Sequence, residues 1–332
     1  MPIRLKNLSP SLRQWIMSQT GLGPCIGELF FVAPNDSSSS HYRDALGDVA
    51  DGIYTTVTAA YNAATANRND IIFVAPGAYD EGASIDWTKD NTHLIGLGGP
   101  VTKADYSEKN VVIYTDTTTI DYTIDLTGDH CQFINIGINN AGNDATNYAA
   151  MRVNGYGNLF RNVTFIGNLG ANQLAAAACG SLAIAANGHN CLFENCIIGE
   201  DCWGLRSAAD SAQLMCVGET NGVRFIDCDF RSYSTTATVA MVNITGNGMG
   251  RDWLFKRCQF NNYSAWNSIT NRNQVFATVG TGKWTQLTLV DCHANGFDRW
   301  TDSASPVYGT MPIADDGGGL SISLVHTVAG GA

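Results

Sequence analysis

The sequence predicts an all-β chain wound as a parallel β-helix, a solenoid in which each turn, or rung, packs on the next. The first observation is a short phrase that recurs six times: Phe133–Ile138, Phe160–Phe165, Phe193–Ile198, Phe225–Phe230, Phe255–Phe260 and Leu289–Ala294. Successive copies begin 27, 33, 32, 30 and 34 residues apart. A repeat of this period indicates units that bury their apolar faces against their neighbours.

The second observation is that the phrase contains its own bend. In the first copy Phe133 points inward and Ile134 outward, but Ile136 and Ile138 then both point inward, so the strand alternation slips by one at Asn135. A corner of this kind needs a residue that tolerates left-handed backbone geometry, and Asn or Asp occupies it in five of the six copies. Each copy therefore predicts one corner of a rung.

The third observation is the text upstream of the phrases. Three short apolar segments about 20 residues apart predict shorter rungs without side loops: Ile71–Tyr79, Leu94–Leu97 and Val111–Tyr114. Before them, four apolar residues fall at helical spacing: Val57, Ala60, Tyr61 and Ala64. A β-helix exposes an apolar cross-section at its end, so we expect this short amphipathic helix to cover it.

The order of this helix, then the segment DIIFVAPGAYDE at 70–81, then HLIGLGGP at 93–100, resembles the start of the right-handed parallel β-helix (pectate-lyase-like) superfamily. The resemblance covers roughly residues 50 to 300. It implies a single-stranded, right-handed parallel β-helix. It says little about activity, because lyases, hydrolases, esterases and non-catalytic virion proteins share this scaffold.

The continuous repeat favours one elongated domain, which we divide into an N-terminal arm or cap (1–34), the β-helix (35–300) and a C-terminal strand and tail (301–332). In the arm, Leu12, Trp15 and Ile16 form an apolar stripe on a predicted helix that either caps the β-helix or docks on another subunit or particle. Leu320–Val325 alternates like a strand and either closes the stack or joins a neighbour's sheet. Longer inserts all follow the phrase, so they should cluster on one side: 139–148, 166–180, 199–211, 231–238 and 261–273.

The charge and hydropathy of the chain argue against some classes of partner. The net charge of −11 argues against nucleic acid or an anionic membrane as partner, and no run of 18 apolar residues exists. We expect no secretory signal, since polar residues interrupt any apolar core near the start of the sequence. Four cysteines share one phrase position: Cys196, Cys228, Cys258 and Cys292. We expect them to form an inward column of free thiols, without disulfides, metal or cofactor, which implies assembly in a reducing cytoplasm.

The outward rows give no catalytic pair. Aligned rung by rung, one row reads Arg161, Glu194, Ile226, Lys256, Val290 and the other Thr164, Ile197, Asp229, Gln259, His293, so neither places two acids on neighbouring rungs. The remaining candidates for acid or base are Glu200 and Asp201 in a loop and Asp229 on the next rung. Trp203 is a candidate for stacking on a sugar ring. The simpler interpretation is a solvated loop with one aromatic side chain tucked onto the rung.

From these observations we expect a non-catalytic structural protein. The chain looks like the short β-helix proteins of tailed bacteriophage particles, especially capsid (head) decoration or cement proteins. That resemblance implies a homotrimeric virion component that is assembled in the host cytoplasm. It also implies that the arm contacts the major capsid protein or another virion component. Two alternatives stay open. One is a polysaccharide lyase or hydrolase of the tailspike-depolymerase type, and the other is a carbohydrate-binding β-helix without catalysis.

Overall fold

The fold is a parallel β-helix whose polypeptide winds through three sheets in every rung. The computed structural model describes residues 3–4, 9, 27–34, 53–98, 110–146, 148–167, 172, 175–177, 179–199, 206–208, 211–234, 236–246, 248–263, 272–279, 286–301 and 307–310. No helix within these ranges is both long and apolar enough to cross a membrane.

Sheet 1 has 12 strands and is the longest of the three. In spatial order it contains Ile3–Arg4, Glu28–Val32, Asp70–Val74, Thr92–Gly96, Gln132–Ile134, Leu159–Arg161, Leu192–Glu194, Arg224–Ile226, Trp253–Lys256, Leu287–Val290 and Val307–Thr310, with Ile53–Tyr54 beside the second strand. All neighbours are parallel except Ile3–Arg4, which pairs antiparallel with Glu28–Val32. The first half of every phrase lies in this sheet.

Sheets 2 and 3 complete each rung. Sheet 2 contains Gly77–Asp80, Val111–Thr115, Gly137–Asn140, Thr164–Gly167, Ile197–Gly199, Asp229–Ser232, Gln259–Asn262 and His293–Asn295. Sheet 3 contains Ile85–Trp87, Tyr122–Leu126, Ala149–Val153, Leu182–Ala185, Leu214–Val217, Val242–Thr245 and Phe276–Val279. A small further sheet pairs Arg272–Gln274 with Phe297–Arg299. The predicted single-stranded β-helix is confirmed, and the inserts do leave one side, between sheets 2 and 3.

The corner between sheets 1 and 2 is left-handed in every copy of the phrase. The backbone φ angles are 58° at Asn135, 54° at Asn162, 53° at Asn195, 55° at Asp227, 53° at Arg257 and 53° at Asp291. Asn and Asp tolerate this region because their short polar side chains bond locally. Arg257 is the exception in sequence, and it keeps the same geometry while its guanidinium bonds both carboxylate oxygens of Asp227, at 2.6 and 2.7 Å.

A second left-handed column lies at the turn that enters sheet 1. Its members stand three residues before the inward apolar residue of their rungs: Asn69, Asn91, His130, Gly157, Asn190, Gly222 and Asp252, with φ between 51° and 71°. The sequence analysis did not identify this column. Its residue types vary between Asn, His, Gly and Asp, so the position lacks the uniform pattern that marks the first corner.

The interior is a set of stacked columns. Phe133, Phe160, Phe193, Phe225 and Phe255 form one of them, with adjacent ring centres 5.4, 4.5, 4.5 and 5.0 Å apart and near-parallel planes. All are fully buried. Offset stacking adds about 0.5–1.5 kcal/mol per aromatic pair to the burial of apolar area, so the column stabilises each rung on its neighbours.

The four phrase cysteines form the expected inward column, and each thiol is free and buried. Each Sγ lies 3.3–3.6 Å from the carbonyl oxygen of the phenylalanine one rung earlier. Burial raises the pKa of the Cys228 thiol well above its ordinary value. These residues therefore act as small apolar side chains with a weak donor that is satisfied by the backbone.

The predicted helix covers the N-terminal end of the stack. It runs from Val57 to Ala63, and all four of its predicted apolar residues are buried. Two carboxylate oxygens of Glu81 accept from the first helical N–H groups, and Lys89 Nζ donates to three carbonyls at the C-terminal end. Tyr61 stacks on Trp87 at 4.3 Å and bonds the backbone of the first rung. The helix is held by both charge and packing.

Two segments differ from the sequence analysis. Glu28–Val32, within the part we assigned to the arm or cap, is a full strand of sheet 1 paired with Asp70–Val74, because Phe30 and Val32 face inward. Val111–Thr115 is not a separate rung. It lies in sheet 2 of the rung that begins at Thr92, beside Gly77–Asp80. In both cases a long connection separates strands that belong together, so spacing alone misplaced them.

The corner geometry gives a stability prediction at Asn195, whose φ is 53°. Replacing Asn195 with Ala should lower the free energy of unfolding by about 1–2 kcal/mol, because Ala is strained in the left-handed region. Replacing it with Gly, the matched control, should cost less than the Ala variant. Urea denaturation of both variants checks this; equal stability of the two variants would contradict a conformational role for Asn195.

The cysteine column gives a second prediction. The thiols of Cys196, Cys228, Cys258 and Cys292 should resist thiol reagents in the native state and react fully after denaturation, since all four are buried. Cys228→Ser should lower stability by roughly 1–3 kcal/mol because it buries a hydroxyl in an apolar column, whereas Cys228→Ala should show the smaller cost of a lost sulfur. Peptide mapping by mass spectrometry reads the labelling, and a disulfide between any of these residues would refute the prediction.

Candidate functional site: a groove on the outer face of sheet 1

A groove of about 670 Å³ runs along the outer face of sheet 1 and across its corner with sheet 2. Strand registers define its floor: Phe73, Ile95, Ile134, Arg161, Glu194 and Ile226 stand in one outward row, one from each successive rung. The left-handed corner residues Asn135, Asn162, Asn195 and Asp227 form its second edge. The groove therefore follows the axis of the stack, which suits an extended ligand.

The centre of the groove carries one inter-rung ion pair. Arg161 donates from Nε and Nη2 to Oε2 of Glu194, at 2.9 and 2.7 Å, as expected from their neighbouring positions in the row. The two side chains are partly exposed, 43% for Arg161 and 31% for Glu194. A pair this exposed is worth at most about 1 kcal/mol. Its consequence for the site is that the Glu194 carboxylate already has a cationic partner.

The corner amides bond to one another. Asn162 Nδ2 donates to Asn135 Oδ1 at 2.7 Å, and Asn135 Nδ2 donates to the carbonyls of Gly98 and Gly96 at 2.7 and 3.1 Å. Further along the edge, one rung beyond Asn195, Asp227 is bound on both oxygens by Arg257. These contacts hold Asn135, Asn162 and Asp227 in place along the edge, and we call the row of Asn135, Asn162 and Asn195 the amide ladder.

The other end of the groove is apolar. Phe73, Ile95 and Ile134 face outward yet are buried, and they cluster with Leu29 and Ile71 and with half-buried Phe31 and Leu97. His93 stands beside them, with its Nδ1 lacking a hydrogen-bond partner among the described residues. Burial lowers the pKa of His93 to about 4, although Asp70 opposes this effect. The groove thus joins an apolar end to a charged and amide-lined centre.

Of the candidate acid–base and sugar-stacking residues, the structure describes Asp229 alone. Asp229 lies in sheet 2, faces outward beside Ile197 and Gln259, is 7% exposed, and pairs with Arg231 at 3.5 Å. Glu200, Asp201 and Trp203 lie outside the described residues, as do Leu12, Trp15 and Ile16 of the arm and the C-terminal strand predicted at 320–325. Among the described residues, no group of three His, Cys, Asp or Glu could hold a metal ion.

Sequence reasoning found part of this groove. It placed Arg161 next to Glu194 and fixed the outward row, because register follows directly from the repeat. It predicted that Ile134 points outward, but it did not extend the outward row upstream to Phe73 and Ile95, because outward apolar residues look the same in sequence as inward ones. It also missed the amide ladder as a surface, although the alignment of Asn135, Asn162 and Asn195 was present.

No family model matches this chain, and no curated protein matches it. Among solved structures it is similar to Escherichia coli ybhc, at 14% identity over 93% of this chain and 88% of that one, with a TM-score of 0.52. It is similar to pectate lyase Pel9A at 14% identity over 90% and 77%, with a TM-score of 0.51. A pectin methylesterase solved with a hexasaccharide shares 14% identity over 84% and 80%, with a TM-score of 0.45. At these identities the likeness shows the right-handed parallel β-helix fold and nothing further.

The depressed pKa of His93 gives a pH prediction. In the unfolded chain the imidazole titrates near 6.5, and in the folded protein near 4, so between these values only the unfolded state binds the proton. The free energy of unfolding should therefore fall, by roughly 3 kcal/mol in total, as pH drops from about 6.5 to about 4. His93→Gln should flatten this part of the profile and His293→Gln, an exposed control, should not. Equal slopes in the wild type and His93→Gln would contradict the assignment.

Proposed function

We propose that the chain is a non-catalytic structural protein of a virion, of the capsid decoration type. The observation that carries the proposal is the pairing of the described carboxylates in the groove and beside it. Glu194, Asp227 and Asp229 each pair with an arginine: Arg161, Arg257 and Arg231 respectively. Hydrolysis by paired carboxylates needs one acid that keeps a proton and a second that is free to attack or to activate water. A carboxylate that is bound by a guanidinium is poorly suited to be the acid that keeps a proton, so these three residues do not supply both members of the pair.

The packing of the rungs supports a structural role for the chain. Stacked phenylalanines, buried thiols and inter-rung ion pairs fix each rung to the next, so the molecule is stiff along its axis. Decoration of a particle requires stability and an attachment surface rather than a moving active site. The proposed attachment surface is the N-terminal arm with Leu12, Trp15 and Ile16, the proposed partner is the major capsid protein, and the proposed assembly is a homotrimer.

A carbohydrate-related function is the second candidate, and the groove is what favours it. A channel of about 670 Å³ that crosses successive rungs and carries Arg161, Glu194 and the corner amides offers donors and acceptors to a linear polysaccharide. In the depolymerase version Glu200, Asp201 and Asp229 would supply the acid and base and Trp203 a stacking platform. Asp229 would have to exchange its contact with Arg231 for a substrate to serve in this way.

The proposal predicts where the protein is found and what its arm does. Antibodies raised against the chain should label the heads of intact particles in immunogold electron microscopy of the source culture. In solution, multi-angle light scattering should give the mass of a trimer. Deletion of residues 1–20 should leave the thermal transition of the β-helix in place, because the rungs stabilise one another, while particle labelling by the added truncated protein is lost.

The control is the same chain with Leu12 and Trp15 changed to Ala, which tests the apolar stripe without shortening the chain. A monomer in solution would refute the trimer, and collapse of folding on truncation would show that the arm only caps the stack. Cleavage of a polysaccharide that disappears in Glu200→Ala, Asp201→Ala or Asp229→Ala would replace the structural proposal with the depolymerase.

A further inference from the structure

Two fully buried arginines lie on the side where the inserts leave the stack, between sheets 2 and 3. Arg206 follows the strand Ile197–Gly199 and Arg272 follows Gln259–Asn262, and both have 0% exposure. The segment between them in the stack, after Asp229–Ser232, contacts both: Ser232 Oγ accepts from Arg272 Nη2 at 2.8 Å, and the Arg206 N–H bonds the carbonyl of Tyr233 at 3.0 Å. Arg206, Arg272 and the end of the strand Asp229–Ser232 therefore lie together on this side of the stack.

The two guanidinium groups are bonded unequally. Arg206 donates from Nη1 to the Cys179 carbonyl at 2.9 Å and from Nη2 to Gln213 Oε1 at 3.4 Å. Arg272 has the Ser232 hydroxyl on Nη2 and the ring of Phe297 5.4 Å away. Its Nε and Nη1 are buried and have no hydrogen-bond partner within the described structure. Those two nitrogens carry three N–H donors, all directed away from solvent.

Arg272 also lacks a compensating charge in the part of the chain that the structure describes. No ion pair joins it to a carboxylate of the described residues, and the charged group that acts on it is Arg206, which has the same sign. Burial and this repulsion lower the pKa of Arg272 to about 9. The side chain is thus still a cation at neutral pH. A buried cation without a counter-charge costs several kcal/mol, which is a large part of the total stability of a protein.

We propose that Arg272 holds a small monovalent anion, of the size and charge of chloride, on its Nε and Nη1 donors. The ligand is monovalent because one positive charge lacks a partner. It is small because the guanidinium has no exposed surface through which an organic anion could project. Arg206 contributes by its field, and Ser232 fixes the orientation of the guanidinium. The anion would supply the acceptor and the counter-charge that Arg272 lacks among the described residues, which stabilises the buried guanidinium.

Crystals of the full-length protein grown with bromide in place of chloride test the site directly. An anomalous difference peak within hydrogen-bond distance of Arg272 Nε and Nη1 is expected. A water molecule or empty space at that position, with no bromide signal, would overturn the proposal.

Thermal melting gives the second readout on the wild-type chain. At constant ionic strength and pH, replacing gluconate by chloride should raise Tm, by roughly 2 °C for each tenfold increase in chloride above the Kd of the site. Arg272→Met, which removes the guanidinium and keeps an unbranched apolar stem, should melt at a Tm independent of chloride. Arg251→Met, at an exposed arginine, should respond as the wild type does. A wild-type Tm unaffected by chloride, or an equal chloride response in Arg272→Met, would refute the site.

Discussion

In-register stacking of rungs is the constraint on which the rest of this structure depends. Strands of adjacent rungs lie about 4.8 Å apart, so each side chain has the equivalent residues of the rungs above and below as its nearest neighbours. A residue type whose side chain packs well against an identical side chain therefore stabilises the stack at every rung. The phenylalanine column, with ring centres 4.5 Å apart at Phe160, Phe193 and Phe225, is one result. The column of four thiols is another, because Cys is small, apolar and tolerant of identical neighbours.

In-register stacking also disfavours rows of like charges. Identical charges in one outward row would stand a single strand spacing apart and repel each other. The chain instead alternates sign or type: Arg161 binds Glu194, Arg257 binds Asp227, and Arg152 binds Asp125 with a ring contact from its guanidinium to Tyr122. Each ion pair links two adjacent rungs. The charges on the outside thus do structural work, and a catalytic pair of acids would have to be built against this tendency.

The repeat explains which features could be predicted from sequence. The corner residues, the inward cysteines and the contact between Arg161 and Glu194 all follow from a single alignment of the six phrases, because register turns sequence position into spatial position. The helix Val57–Ala63, which covers the N-terminal end of the stack, was predicted from the helical spacing of its apolar residues. The two misplaced segments adjoin long connections. The segment 35–52 lies between Glu28–Val32 and its partner Asp70–Val74, and the segment 99–109 separates Val111–Thr115 from Thr92–Gly96, the sheet 1 strand of its own rung. Spacing carries no information across such connections.

The two candidate sites also differ in how far the repeat predicts them. The groove on sheet 1 is made of columns, so its floor and its corner edge can be predicted from register. Only the extension of the outward row to Phe73 and Ile95 needed the structure. Arg272 is different. Nothing in its local sequence marks it as buried, because its environment is created by Ser232 from the preceding insert and Phe297 from the last rung. Inserts are free of the register rule, so their residues can be chosen for chemistry rather than for stacking. The side of the β-helix that carries them is therefore where this chain can differ most from others of its fold, while the sheet 1 face stays bound by the repeat.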